Sequence, residues 1–270
     1  METTRLLAQI TDADEEVRGE AIHELTHLMD DEVARAFLDV ASSGADEQVR
    51  SDVLIGLGPV IDEAGIDYDD DEEELLLGPE LGPPVSREMF ETIVREVRAL
   101  YEDESQPKRV RRSAFEALVR DPQPWVSSEI RRHFASDDPE WKLTAVFAMG
   151  YVAGFEKEIA AVVNAEQGQL LIEGVKAAGH MEVTGAAQRI RDLATAKGTE
   201  RGLRLYAIEA LPYVDPDSFD ILDRLKQSND EEVAEAAEAA LEELSLAESM
   251  DDEEWDDEEW DEEDEEDDRR

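Results

Sequence analysis

The chain contains no cysteine. That excludes disulfides, thiolate nucleophiles and Cys-based metal sites. Lysine is scarce as well: six residues, against twenty arginines. Positive charge as a whole is short, with 72 Asp and Glu against 26 Lys and Arg, a net charge of −46. A field of that sign repels DNA, RNA and anionic membranes and attracts basic proteins, polyamines and cations. Excess acid with little Lys fits a protein from a high-salt cell, and high genomic GC also raises Arg over Lys; composition leaves both open. Long apolar runs are missing too. No stretch approaches the roughly 18 apolar residues of a membrane span, and METTRLLAQITDADEEV has no apolar core of signal-peptide length. The expectation is a cytoplasmic chain. Period-two alternation is not sustained anywhere, so almost no strand is expected. Gly-x-Ser-x-Gly, the P-loop and Gly-x-Gly-x-x-Gly do not occur; Gly56 and Gly58 make only a lone Gly-x-Gly.

The acid is present in two forms. Sixteen acids fill 251–268, and without residues 251–270 the body still holds 56 acids against 24 bases, a charge of −32. The stretch DDEEWDDEEWDEEDEEDD repels itself and has only Trp255 and Trp260 to bury, so 249–270 is expected to be a disordered tail. Two Trp in such a run suit a short binding element, with charge for steering and rings for anchoring. A merely solvating tail is the other reading.

The body is repetitive. Val17-Arg18 is followed by Ala21 and Leu25, and the pattern recurs: Val49-Arg50 with Val53 and Leu57; Val110-Arg111 with Ala114 and Leu118; Trp141-Lys142 with Ala145 and Met149; Leu170 with Gly174 and Ala178; Leu203-Arg204 with Ala207 and Leu211; Val233 with Ala237 and Leu241. Five of the six intervals lie near 31 residues and one is about double, the range of helical repeat arrays. Positions i, i+4 and i+8 share one helical stripe, and the small middle residue lets a neighbouring helix come close. Acids preceding the pattern, as in DADEEV, ADEQV and NDEEV, suit a helix N-terminus. Each period leaves room for a second amphipathic helix, such as the one carrying Phe90, Ile93, Val94, Val97 and Leu100, and Asp-Pro pairs at 121, 138 and 215 punctuate the joins.

Paired helices opening with D-x-x-V-R-x-x-A resemble the HEAT-repeat family, in its short, phycobilin-lyase-type form. The resemblance covers roughly 12–248 and implies an all-α, right-handed α-solenoid of about seven antiparallel helix pairs, whose second helices line a concave face. The expected organisation is one repeat domain over 1–248, interrupted at 62–86 by an acidic, Gly/Pro-rich loop that holds six consecutive acids and then Leu75, Leu76 and Leu77. The resemblance implies a scaffold or adaptor that holds a basic protein or peptide and needs no cofactor, as a monomer with no direct nucleic-acid or membrane role. Candidate contacts on the concave face are Arg98, Tyr101, Arg131, Arg132, Glu158 and Arg191, with Trp255 and Trp260 from the tail. Lys108, Arg109, Arg111 and Arg112 form the one basic patch, which can pair with neighbouring acids, with the insertion or with the tail; Arg111 occupies the repeat's usual Arg position, a structural place.

One stretch points elsewhere. Residues 23–27 read HELTH, the H-E-x-x-H of helical zinc peptidases, in which two His one turn apart bind metal and the Glu acts as base. A third ligand is not identifiable. In the repeat register Val17, Ala21, Leu25 and Leu28 face the core, so His23 and His27 point outward and amount to a weak metal candidate. Deoxyhypusine hydroxylases, built from similar repeats, carry His-Glu pairs at equivalent positions; here only His23-Glu24 matches, the counterparts being Ile55-Gly56, Glu116-Ala117 and Glu209-Ala210. Enzymatic or maturation-factor activity is therefore the alternative reading, not the leading one.

Overall fold

A computed structural model describes residues 2–69 and 83–254, with side chains described over 2–64 and 83–245. Among these residues there are fourteen α-helices, two short 3-10 turns and no strand. The chain divides into two compact units, 1–152 and 153–270.

The first unit holds α1 (Glu2–Gln9), α2 (Glu15–His27), α3 (Asp31–Ser42), α4 (Glu47–Asp69), α5 (Arg87–Glu102), α6 (Lys108–Leu118), α7 (Val126–Phe134) and α8 (Pro139–Met149). The second holds α9 (Glu156–Ala165), α10 (Gly168–His180), α11 (Ala187–Thr195), α12 (Arg201–Val214), α13 (Phe219–Lys226) and α14 (Glu231–Glu254), with 3-10 turns at Thr184–Ala186 and Pro216–Ser218. In the first unit the even-numbered helices α2, α4, α6 and α8 pack successively on one another, and α3 packs on α5; in the second, α10, α12 and α14 form such a row beside α9 and α11. Each even-numbered helix carries one copy of the sequence pattern.

The pattern explains the packing. The middle position is buried in every copy: Ala21, Val53, Ala114, Ala145, Gly174, Ala207 and Ala237. Its size limits how near a neighbour can come. At Gly174 a Cβ would lie 2.7 Å from Val162 Cγ1, so the α9–α10 approach depends on glycine. Acidic caps open the helices as expected: Asp14 Oδ1 accepts from Glu16 N at 3.0 Å, Asp46 Oδ1 from Gln48 N at 2.9 Å, and Asp138 Oδ1 from Glu140 N at 3.0 Å.

The Arg that follows the first apolar position closes three of the helical hairpins. Arg50 Nε donates to Ala41 O at the end of α3 (2.7 Å), Arg111 Nε to Tyr101 O at the end of α5 (2.9 Å), and Arg204 Nε to Ala194 O at the end of α11 (2.9 Å). The last carbonyls of a helix have no intrahelical partner, and a guanidinium there both bonds them and complements the negative end of the dipole. Among helices consecutive in the chain, the more extensive pairings accordingly join an odd-numbered helix to the even-numbered helix after it, as in α3 with α4 and α11 with α12. Units read from the sequence as an even-numbered helix plus its follower are thus divided differently in space.

Helix α1 precedes the first repeat and packs on α2. Three expectations need correction. Leu28 does not reach the core: it is 47% exposed, because α2 ends at His27, and Ile22 and Met29 are buried instead. The stretch expected as a loop from 62 begins as helix, since α4 runs on to Asp69; 70–82, with Leu75 to Leu77, lies outside the described residues. Helix α14 continues to Glu254, into the segment expected to be a disordered tail from 249; Trp255 and Trp260 lie outside the described residues.

Candidate functional site

The candidate contact residues on α5 and α7 do meet, but around a buried core of rings. Tyr101 is only 3% exposed, which removes it from any open binding face. Its hydroxyl donates to Glu129 Oε2, lies 2.9 Å from His133 Nε2, and accepts from Arg132 at 3.0 Å. Arg132 also bonds Glu129. Tyr101 stacks on Phe115 at 4.9 Å and on Trp125 at 5.8 Å, and His133 lies parallel to Trp141 at 4.0 Å and 6°. Arg98 covers Trp125 at 4.7 Å while pairing with Glu102, and Arg111 covers Trp141 at 5.7 Å. Burial pushes the Tyr101 hydroxyl well above its ordinary range, helped by the hydrogen bond to Glu129. Burial, and then the Arg132 charge, lower His133 to about 4. At neutral pH the site therefore holds a neutral imidazole and a neutral phenol, locked by a carboxylate and a guanidinium. Sequence reasoning placed Tyr101 and Arg132 here and missed Glu129 and His133. The available signal was the i, i+4 spacing of Glu129 and His133 on α7.

Arg131 is exposed and bonds back to Ser127 O at 3.4 Å. In the second unit, Arg191 of α11 is held to Asp215, its Nε at 3.0 Å from Oδ2, and Glu158 stands half-exposed on α9.

Two of the four basic-patch residues, Lys108 and Arg112, are ion-paired. Lys108 sits between Asp138 (3.1 Å) and Glu140 (2.5 Å), Arg109 bonds Gln48, and Arg112 reaches Glu140 at 3.0 Å and Thr144 Oγ1 at 2.8 Å. Glu140 and then Asp138 raise the Lys108 pKa, and Lys108 lowers both of theirs in return. Arg111 caps α5. Of the partners open to this patch, neighbouring acids answer Lys108 and Arg112 among the described residues.

His23 and His27 are exposed, as their register requires, with ring centroids 4.7 Å apart. They border a groove of about 680 Å³ between α2 and α4, together with Thr26, Asp52, Ile55 and Glu63. No group of three metal-ligating His, Asp or Glu side chains forms among the described residues.

The second unit has a groove in the same repeat register, about 520 Å³, between α10 and α12. Counted from Val17 and Leu170, His23 corresponds to Lys176 and His27 to His180; counted from Val49 and Leu203, Asp52 corresponds to Tyr206, Ile55 to Glu209 and Pro59 to Tyr213. Its floor is narrow: a Cβ on Gly179 would lie 3.1 Å from Ala210 Cβ. Lys176 Nζ stands 4.4 Å over the Tyr206 ring and 3.6 Å from Glu173. Tyr213 is 42% exposed, and partial burial, Glu243 and Glu182 raise its hydroxyl pKa. Glu182 lies just past the end of α10 at φ +52, the one non-glycine at positive φ among the described residues. The bonds from Val183 N to Ala178 O (2.9 Å) and from Glu182 N to Gly179 O (3.3 Å) are those of a left-handed helix stop, where glycine is the usual occupant. Neither Tyr206 nor Tyr213 was singled out from the sequence; their seven-residue spacing on a helix was the signal.

No protein-family model and no curated protein matches the chain. Among solved structures, human deoxyhypusine hydroxylase in complex with glycerol is similar over 91% of this chain and 96% of that one, at 13% identity and a TM-score of 0.40. An engineered protein is similar over 91% and 97%, at 14% identity and a TM-score of 0.34.

Proposed function

We propose that the chain is a non-enzymatic helical-repeat scaffold that holds a basic protein or peptide. The observation that supports this reading is the internal consumption of its positive charge. Lys108, Arg112, Arg132 and Arg191 are each paired with carboxylates, and Arg50, Arg111 and Arg204 cap helix ends. With 72 acids and 26 bases, the surface charge left to meet a partner is acidic. Such a surface speeds the encounter with a cationic partner and discriminates against anionic ones. The seven-pair right-handed solenoid, and second helices lining the binding face, belong to this proposal, as do the steering roles of the 62–86 insertion and the Trp255 and Trp260 tail.

The test is titration of the full chain with an Arg- and Lys-rich peptide and with an acidic peptide of the same length. Binding of the basic peptide that weakens steeply with salt is the expected result. Equal or tighter binding of the acidic peptide would overturn the proposal. Removing 251–270 is expected to slow association while leaving dissociation nearly unchanged.

A metal-dependent activity at His23 and His27 is the second reading. It rests on one observation, that both rings border the same groove as Asp52 and Glu63.

A further inference from the structure

The geometry points to the groove between α10 and α12 as a seat for an arginine side chain of the partner, stacked on Tyr213 between Glu182 and Glu209. This deepens the basic-partner reading and rests on it.

Three features of the groove converge on a cation. The first is that the chain already places one there. Lys176 Nζ lies 4.4 Å from the Tyr206 ring centroid, which shows that this wall accepts a positive charge over an aromatic face. Tyr206 and Tyr213 are seven residues apart on α12, two turns or about 10.5 Å along one face. The second ring offers the same kind of surface two turns on, and at 42% exposure it is open to a partner.

The second feature is charge. Glu182 and Glu209 line the groove, and the Glu243 carboxylate acts on the Tyr213 hydroxyl, raising its pKa. Lys176 is offset by Glu173 at 3.6 Å. A guanidinium suits this seat better than an ammonium, because its plane can stack on the ring while its N–H groups reach carboxylates at the edge.

The third is the backbone at Glu182. A residue in the left-handed region costs energy that glycine would avoid. Glutamate nevertheless stands at φ +52, and its carboxylate acts on the Tyr213 hydroxyl. The left-handed turn itself ends α10; glutamate in place of glycine there puts a carboxylate beside the open ring. The groove has its floor where Gly179 and Ala210 let α10 and α12 come close, while larger side chains form its walls.

The experiment uses the full chain and a Gly-Ser peptide carrying several arginines, with lysine, trimethyllysine and citrulline versions of equal length, measured by calorimetry at low salt. The arginine peptide is expected to bind, and the citrulline peptide is not. Tyr213→Ala is expected to weaken binding about tenfold, the size of one partly desolvated cation–ring contact, and Tyr213→Phe to retain it. Glu182→Gly is expected to weaken binding severalfold while raising the melting temperature, a combination that a merely structural role would not give. If the arginine peptide binds wild type and all three variants alike, the groove assignment is wrong and the basic-partner reading stands. If no cationic peptide binds, that reading falls and the inference with it. Tighter binding of the lysine or trimethyllysine peptide would overturn the choice of arginine. Capture of an acidic peptide that is lost in Lys176→Ala would reverse the sign of the site.

Discussion

Arg204 Nε and the Ala194 carbonyl oxygen lie 2.9 Å apart, and Arg50 with Ala41 makes the same bond at 2.7 Å in the other unit. One residue of the repeat thus stitches the start of a helix to the end of the helix before it. A local sequence rule, Arg after the first apolar residue, sets a tertiary pairing.

Removal of that stitch should be costly where it is buried. Arg50 is only 7% exposed and also bonds Gln106 at 2.6 Å. Arg50→Ala is expected to destabilise the chain by about 2 kcal/mol, because it leaves a carbonyl and an amide without their charged donor. Arg50→Lys should recover little, since an ammonium cannot serve both acceptors with fixed geometry. Urea unfolding of the three proteins measures this; a neutral Arg50→Ala would disprove it.

His133 makes the stability depend on pH in one direction. Its folded pKa is about 4, against an ordinary 6.5, with Glu129, Arg132, Arg111 and Tyr101 around it. Between those values the unfolded chain takes up a proton that the folded chain refuses. The contribution is therefore whole above pH 6.5 and is lost as the pH falls toward 4, on the order of 3 kcal/mol. Relief of acidic self-repulsion runs the other way across the same range. The measurement is the difference between wild type and His133→Gln. That difference should shrink with falling pH, and a pH-independent one would refute the account.

Gly174 tests close packing. A methyl there meets Val162 Cγ1 at 2.7 Å. Gly174→Ala should cost about 1–3 kcal/mol despite alanine's better helix propensity. Val162→Ala should relieve part of that in the double variant, as chemical denaturation of the four-member cycle would report. Independent effects at the two sites would rule out the contact.

The HELTH pair gives a metal prediction. Two His one turn apart chelate a borderline cation through nitrogen, but a catalytic zinc needs a third ligand and support behind it. Chelator-treated protein is expected to bind nickel or zinc weakly, to lose that binding in His27→Ala, and to melt at the same temperature with or without the chelator. Stoichiometric zinc that survives dialysis and is lost in His27→Ala would instead make this a functional centre.

Much of the helical layout could be read from residue order. The spacing of Ala21, Ala114 and Ala207 within their patterns, and the acids ahead of them, mark where helices begin and which stripe they bury, because helix periodicity and capping are local rules. The outward register of His23 and His27 follows from the same rules. The character of the candidate sites did not follow. Tyr101 looked like a surface residue on α5 and is sealed by Phe115, Trp125 and His133 from later helices. Lys108 and Arg112 had several acidic partners open to them in the sequence and are answered by Asp138 and Glu140, some thirty residues on. The groove at Tyr213 depends on Gly179 and Ala210, which meet only when α10 and α12 pack. Sequence alone determined which faces of the helices are apolar and where the acid accumulates. Tertiary structure decided which charges are spent and which ring stays open, because burial and ion pairing are set by residues far apart in the chain that come within a few ångströms of each other only on folding.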